Sequence, residues 1–214
     1  MKVAVNRQLT AAFDIDAQNT FTPLCPNELP VPEGHLIVDE LNLQAAFARI
    51  RLASKDAHSP AAEWVATPEY PTGTPIDAPN MDLRWPVHAV PGTKGFELIE
   101  GLPCESAYRY IALKGVEPNK HPYGACYQDL ADTESTGVIE VLRAEGIDTV
   151  ICGGLATDYC VKTTVLQLRK AGFNVIVNLS ACRGISDGTV AAAIKEMERA
   201  GAQIIRSATQ LQEA

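Results

Sequence analysis

Residues 149–179 read TVICGGLATDYCVKTTVLQLRKAGFNVIVNL and predict a strand, a helix and a second strand in succession. The strands are Thr149–Cys152 and Asn174–Leu179, each a short apolar run, and the helix is Asp158–Lys170. Two strands joined by such a helix run parallel, because the crossover returns the chain to the same end of the sheet. The stretch therefore predicts a parallel α/β sheet.

The same alternation continues on both sides of this unit. Further strands are predicted at Thr10–Asp16, Ile50–Ser54, Tyr108–Leu113 and Gln203–Arg206, and further helices within 36–47, at Thr136–Glu145 and at Ser186–Ala200. We therefore expect a single domain over residues 1–214, a three-layer α/β/α arrangement around a central, mainly parallel sheet of about six strands. Ligands of such sheets bind at the carboxyl ends of the strands, near a switch in strand order.

A proline-rich segment at about 57–105 interrupts the alternation. It holds eight of the 14 prolines and two of the four histidines. Proline has no backbone N–H to donate, so the segment predicts a long inserted loop rather than a helix or a central strand. A stretch of this length without regular structure is usually either functional or a sign of a missed element, and we expect this one to contribute to a site.

The composition argues against two classes of partner. The chain has 18 Lys and Arg against 26 Asp and Glu, a formal charge of −8, and no basic run, so its surface would repel a nucleic-acid backbone. No apolar run approaches the roughly 20 residues of a membrane span, and residues 1–10 lack the apolar core of a signal peptide. We expect a soluble, cytoplasmic protein that binds neither nucleic acid nor membranes.

Three polar residues fall at the predicted carboxyl ends of different strands. Asp16 ends the first strand, Lys114 follows the strand that ends at Leu113, and Cys160 lies at the start of a helix after a glycine-rich turn. Singly, a capping aspartate, a surface lysine or an inert buried cysteine is the more ordinary interpretation. Together they converge on one crevice, where an acid can take the thiol proton and an ammonium can stabilise both anions. The helix N-terminus is expected to lower the thiol pKa from about 8.5 toward neutrality.

A second group of polar residues suggests a metal site. Asp56 and His58 follow the second strand two residues apart, and His88 lies in the insertion. Residues two apart in extended chain point the same way, so a carboxylate and two imidazoles can reach one ion and leave positions for water or substrate. Without further evidence, two surface histidines and a salt-bridged aspartate are commoner than such a site.

The chain contains five motifs in a fixed order, namely DAQNTF at 16–21, DAH at 56–58, WPVHAVPGT at 85–93, LKG at 113–115 and GLATDYCV at 154–161. They resemble the motifs of the nicotinamidases and pyrazinamidases, within the isochorismatase-like cysteine hydrolases. The resemblance extends from about Leu9 to Arg206 and implies an isochorismatase-like, Rossmann-like fold.

The resemblance implies an amidohydrolase that converts nicotinamide to nicotinate and ammonia and also accepts pyrazinamide. Cys160 is then the nucleophile, Asp16 the general base and later the acid, and Lys114 the third member of the triad. Backbone N–H groups at Ala156 and Cys160 form the oxyanion hole, and a cis peptide bond precedes Ala156.

The resemblance also implies a divalent metal, with zinc expected first and iron or manganese as alternatives. Its ligands are Asp56, His58 and His88, and the ion binds the pyridine nitrogen. Some relatives have an additional ligand in the first metal loop, for which Glu63 is the nearest candidate here. A homo-oligomer is a further expectation.

The substrate ring is expected to lie between Phe21 and Trp85, with Tyr123 and Leu155 as further contacts. The chain departs from the usual pattern at three places. Thr20 replaces an acid, Ala89 replaces a common cysteine, and YGAC at 123–126 replaces a typical YSGF. Cysteine for phenylalanine at position 126 is expected to loosen the pocket.

Two other functions are compatible with these residues. The first keeps the triad but hydrolyses another small amide or a vinyl ether without a catalytic metal. The second is a non-catalytic binding protein, or a thiol redox sensor built on Cys160, on the same scaffold.

Overall fold

The computed structural model describes residues 2–214 as ten strands and four α-helices joined by turns and loops. The strands are β1 (Val3–Val5), β2 (Thr10–Ile15), β3 (Ile50–Asp56), β4 (Pro75–Ala78), β5 (Met81–Leu83), β6 (Tyr110–Lys114), β7 (Thr149–Leu155), β8 (Asn174–Arg183), β9 (Gln203–Ile205) and β10 (Leu211–Glu213). The helices are α1 (Val38–Ala45), α2 (Val138–Ala144), α3 (Lys162–Lys170) and α4 (Asp187–Arg199).

Six strands form one sheet in the order β6-β3-β2-β7-β8-β9, and every neighbouring pair is parallel. The chain starts at β2, moves to one side through β3 and β6, and returns to the other side at β7. The switch in strand order therefore lies between β2 and β7, where a parallel sheet opens a crevice at its carboxyl edge. The predicted fold class is confirmed.

Apolar side chains cover both faces of this sheet. Phe13 and Leu52 pack with residues of α2, α3 and α4, including Leu142 and Leu168, in one buried cluster. Leu41 of α1 belongs to a different cluster. Three helices therefore cover one face and α1 covers the other, because strands buried on both faces need an apolar layer on each side.

Several elements differ from those predicted. β1 and β10 form a separate parallel pair that joins the two ends of the chain, and β4 and β5 form a hairpin within the proline-rich insertion. The predicted helix Asp158–Lys170 begins as α-helix only at Lys162, since residues 157–161 form a π-type turn in which two N–H groups share the Ala156 carbonyl. Within residues 2–214, none of the helices has the length and apolar character needed to cross a membrane.

Candidate active site

Four polar side chains meet at the carboxyl ends of four neighbouring strands. Asp16 follows β2, Asp56 ends β3, Lys114 ends β6, and Cys160 lies in the turn after β7. All four side chains are buried. The parallel sheet brings together residues that are up to 144 positions apart in the chain, and it does so at the switch point.

Lys114 is the centre of this group. Its Nζ lies 2.5 Å from Asp56 Oδ1, 3.0 Å from Asp16 Oδ2 and 3.7 Å from Cys160 Sγ. Nζ also donates to the carbonyl of Pro122 at 3.3 Å. Burial alone would lower the pKa of Lys114, but the two carboxylates outweigh it and raise that pKa well above its ordinary value. The side chain is therefore a fixed positive charge between two acids and a thiol.

Asp16 is held in an unusual backbone conformation next to that charge. Its φ is +46°, its N–H donates to the Ser54 carbonyl at 3.1 Å, and its Oδ1 accepts from Ser54 Oγ at 2.6 Å. Burial, together with nearby Asp56, raises the pKa of Asp16 against the opposing effect of Lys114. Asp16 is consequently a better proton acceptor than an exposed aspartate.

Cys160 points its thiol toward the same acid. Sγ accepts a hydrogen bond from Lys114 Nζ at 3.7 Å and lies within 4.8 Å of a carboxylate oxygen of Asp16. Burial raises the pKa of the thiol well above its ordinary value, although Lys114 lowers it. The expected lowering toward neutrality is therefore wrong, because desolvation of a thiolate at this depth outweighs the favourable charges. A thiol in this state needs a neighbouring base before it can act as a nucleophile.

Three buried histidines form a second cluster beside Asp56. Potential ligand atoms of His58, His88 and His121 all lie within 4.8 Å of one another. Asp56 Oδ1 lies 3.4 Å from His58 Nε2, and Asp56 Oδ2 lies 3.9 Å from His88 Nε2. Burial lowers the pKa of His88 to about 3 and that of His121 well below its ordinary value, so both imidazoles are neutral.

The orientation of two of these rings suits a metal ion. His58 Nδ1 is 3.0 Å from the Gly115 carbonyl, and His88 Nδ1 is 2.8 Å from the Pro86 carbonyl. A carbonyl at Nδ1 selects the tautomer with a free lone pair on Nε2, which is the arrangement that most metal-bound histidines show. His58 Nε2 is buried and has no hydrogen-bond partner among residues 2–214. The donor set therefore fits a divalent cation.

A cavity adjoins both clusters, and its non-atom space of about 330 Å³ includes open solvent at its mouth. Four aromatic side chains line it, namely Phe21, Trp85, Tyr123 and Tyr159, together with Asp56, His88, His121, Ala156, Cys160 and three aliphatic residues. An aromatic cavity with a few polar groups is typical of a site for a flat, mostly apolar molecule.

Comparison with known proteins identifies the family. The family sequence model of the isochorismatase domain matches residues 10–209 of this chain. The chain belongs to the isochorismatase family. A nicotinamidase of Acinetobacter baylyi is 32% identical over an alignment of 204 residues, and the match covers 92% of this chain and 92% of that protein.

Solved structures of the isochorismatase family agree with this assignment. An Acinetobacter baumanii nicotinamidase pyrazinamidase superposes with a TM-score of 0.86 at 30% identity and covers 94% of this chain and 97% of its own. A pyrazinamidase of Pyrococcus horikoshii in complex with zinc superposes with a TM-score of 0.72, also at 30% identity, and covers 92% and 98%. The predicted resemblance is confirmed.

The pocket of this isochorismatase-family protein differs from the predicted one in two residues. Leu155 does not line the cavity but is fully buried in an apolar cluster with Ile37 and Leu41. Tyr159, which the sequence analysis did not single out, lines the cavity and packs edge-on against Trp85 with 5.2 Å between ring centroids. The expected cis peptide bond is present between Leu155 and Ala156.

The metal cluster also differs from the predicted one. Glu63 is exposed and belongs to neither group of potential ligand atoms within residues 2–214, so the expectation of an additional ligand there is not met. Trp64, the next residue, is fully buried against His58 instead. The residue that joins His58 and His88 in the buried cluster is His121, whose position in the sequence belongs to none of the five motifs.

The structure shows what surrounds Thr20, Ala89 and Cys126, which depart from the usual family pattern. Glu28 brings a carboxylate to the place of the missing acid: its Oε2 accepts from Thr20 Oγ1 at 2.5 Å and from the Ala89 N–H at 3.0 Å. Ala89 has a φ of +50° and directly follows His88, so this contact holds the turn that carries a histidine. Cys126 is fully buried in the main core and does not line the cavity.

Proposed function

We propose that this protein is a nicotinamidase, which hydrolyses nicotinamide to nicotinate and ammonia and accepts pyrazinamide as well. The observation that carries the proposal is the contact of Asp16, Lys114 and Cys160 beside an aromatic cavity that also contains buried imidazoles. The similarity to nicotinamidases over most of the chain supports the same substrate class.

The first chemical step is acylation of the thiol. Asp16 accepts the proton of Cys160, and Sγ attacks the carboxamide carbon of the substrate. The raised pKa of Asp16 favours this transfer, since a buried carboxylate gains stability when it is neutralised. The N–H groups of Ala156 and Cys160 bind the oxyanion that develops on the amide oxygen.

The second part of the reaction releases both products. Asp16 returns its proton to the amide nitrogen, the C–N bond breaks, and ammonia leaves a thioester on Cys160. Asp16 then takes a proton from water, which attacks the thioester carbon. The C–S bond breaks, Asp16 returns the proton to Sγ to restore the thiol, and nicotinic acid leaves and loses its own proton to solvent as nicotinate. Lys114 holds its positive charge throughout and stabilises the thiolate and the carboxylate as each forms.

Asp56, His58 and His88 are proposed as metal ligands, with zinc as the first candidate because a 30% identical relative is a zinc complex. An ion bound by these residues would orient the substrate ring and polarise it. An alternative hydrolase without a metal would leave buried imidazole nitrogens without partners, which is energetically costly.

Ammonia release from nicotinamide tests the proposal, with Cys160→Ala and Cys104→Ala as a matched pair. Both variants remove one thiol, but Cys104 is exposed and outside the cavity. We expect Cys160→Ala to lose turnover while it retains zinc binding, and Cys104→Ala to behave as wild type. Full ammonia release by Cys160→Ala would refute the mechanism.

The metal is tested by the same assay before and after chelation. Activity should disappear on removal of the metal and return when zinc, iron or manganese is added. Turnover that survives complete chelation, checked by elemental analysis, would favour the metal-free alternative.

A further inference from the structure

His121 has no assigned role, yet it lies inside the site. It belongs to the loop between β6 and α2, whereas His58 and His88 come from the segment after β3. Its ring stacks on His58 with 5.1 Å between centroids and lies 5.8 Å from that of His88. The side chain is 4% exposed, so it is a component of the buried cluster rather than of the surface.

The nitrogens of His121 are the unusual feature. Both Nδ1 and Nε2 are buried, and neither has a hydrogen-bond partner among residues 2–214. A buried polar atom without a partner costs about 1–3 kcal/mol, so two on one ring need an explanation. A cation that accepts an imidazole lone pair would supply the missing interaction of one of these two nitrogens.

Two hydrogen bonds to backbone carbonyls and one side-chain ion pair hold the loop in this position. The N–H of His121 donates to the Asn80 carbonyl at 2.8 Å, and Trp64 Nε1 donates to the Lys120 carbonyl at 3.1 Å. Lys120 Nζ is also paired with Glu134 at 2.6 Å. The ring therefore faces the other histidines because three separate contacts fix the loop.

We propose that His121 is a third imidazole ligand of the divalent cation that His58 and His88 bind. This inference rests on the metal site of the proposed function. It adds His121 to the three proposed ligands Asp56, His58 and His88. Lys114 Nζ donates to Asp56 Oδ1. The other carboxylate oxygen, Oδ2, lies 3.9 Å from His88 Nε2 and is therefore the one available to the ion.

The distances are compatible with one ion. Ligands at about 2.1 Å from a tetrahedral zinc lie roughly 3.4 Å apart. The three imidazoles already have donor atoms within 4.8 Å of one another, so side-chain shifts of less than about 1 Å bring them to that spacing. Neutral imidazoles are the form that zinc binds.

A ligand at this position also connects the metal to the wall of the cavity. The His121 ring is nearly parallel to that of Trp85 at 6.1 Å and edge-on to Tyr123 at 5.2 Å. Trp64 lies 4.5 Å from the same ring. Both tryptophans of the chain therefore surround His121, and their fluorescence should report metal binding.

The test compares His121→Asn with His35→Asn in metal-free protein prepared by chelation. Each variant removes one imidazole, but His35 lies outside the cluster. Zinc is titrated against a competing chelator while tryptophan emission is followed, with no substrate present. Loss of a partner of a ligand costs about 10–100-fold in metal affinity, so loss of a direct ligand should cost at least about 100-fold. His35→Asn should bind zinc as wild type does.

Cobalt absorption provides a second measurement, because its spectrum depends on the number and type of ligands. The spectrum of His121→Asn should differ from that of wild type. If this variant does not fold without metal, His121→Asp serves instead, since exchange of a nitrogen for an oxygen ligand also changes the spectrum. An unchanged zinc affinity of His121→Asn, or an unchanged cobalt spectrum in either variant, would overturn the proposal alone. A wild-type protein that binds no zinc or cobalt would overturn the metal part of the proposed function as well.

Discussion

Substitution of Gly115 by alanine provides a sharp test of the metal site. Gly115 directly follows Lys114 and has a φ of +67°. A Cβ at this position would lie 2.2 Å from His58 Cε1 and 2.5 Å from His58 Nδ1. Carbon atoms pack at about 3.5–4.0 Å, so the imidazole would have to retreat by more than about 1 Å. Metal–ligand distances tolerate only about 0.2 Å, so His58 would cease to be a ligand.

Gly146 is a matched control within the same chain. Its φ is +65°, and an added Cβ would meet no atom within 4 Å. Both alanine variants therefore carry the same backbone cost, about 1–2 kcal/mol of unfolding free energy, but only Gly115→Ala displaces a histidine. The difference between the two variants isolates the displacement of His58 from the cost of the left-handed conformation.

The expected result is a loss of zinc affinity of at least about 100-fold in Gly115→Ala and none in Gly146→Ala. At a fixed excess of zinc, a 100-fold weaker site contributes about 2.7 kcal/mol less to the free energy of unfolding. The assays are zinc titration of the metal-free protein and urea unfolding with and without zinc. Equal zinc affinities for the two variants would refute the assignment of His58 as a ligand.

Two further predictions concern residues outside the triad. Glu28→Ala removes the carboxylate that accepts from the Ala89 N–H, so the zinc affinity measured by titration should fall by about tenfold. Adding Thr20→Asp to the same protein should restore the zinc affinity. An unchanged zinc affinity of Glu28→Ala would contradict the role of Glu28 in positioning His88. Burial raises the pKa of Asp14 from 3.8 to about 6 despite Arg51, so its contribution to stability is present below pH 3.8 and is lost as the pH rises through 6. Between pH 4 and pH 7, the free energy of unfolding of the wild type in urea should fall by about 2–3 kcal/mol relative to that of Asp14→Asn. Parallel pH profiles of the two proteins would contradict this prediction.

The elements of the central sheet were predictable because their apolar patterns are local. The runs at Thr149–Cys152 and Asn174–Leu179 are long enough to be recognised without tertiary information, and the helix between them requires a parallel arrangement. β1 and β10 were missed, since each has three residues and its strand partner lies at the other end of the chain. A pairing of that kind leaves no periodic signal in either segment.

The candidate site was predictable where it follows strand ends. Asp16, Lys114 and Cys160 could be placed together because parallel strands present their carboxyl ends at one edge, whatever the intervening loops do. Asp56 was predicted in a separate metal group, and its contact with Lys114 appears only in the structure. Motif order also indicated the family, and the comparisons confirmed it. No such rule governs a long loop, whose course depends on contacts made through space.

What the sequence determined by itself is thus the α/β sheet, the family and the residues at the strand ends, because periodicity and motif order are properties of the linear chain. The tertiary structure alone decided that His121 joins the histidine cluster, that Tyr159 rather than Leu155 lines the cavity, and that the Cys160 thiol has a raised pKa. Each of these depends on burial and on distances between distant segments, and both quantities exist only once the chain has folded.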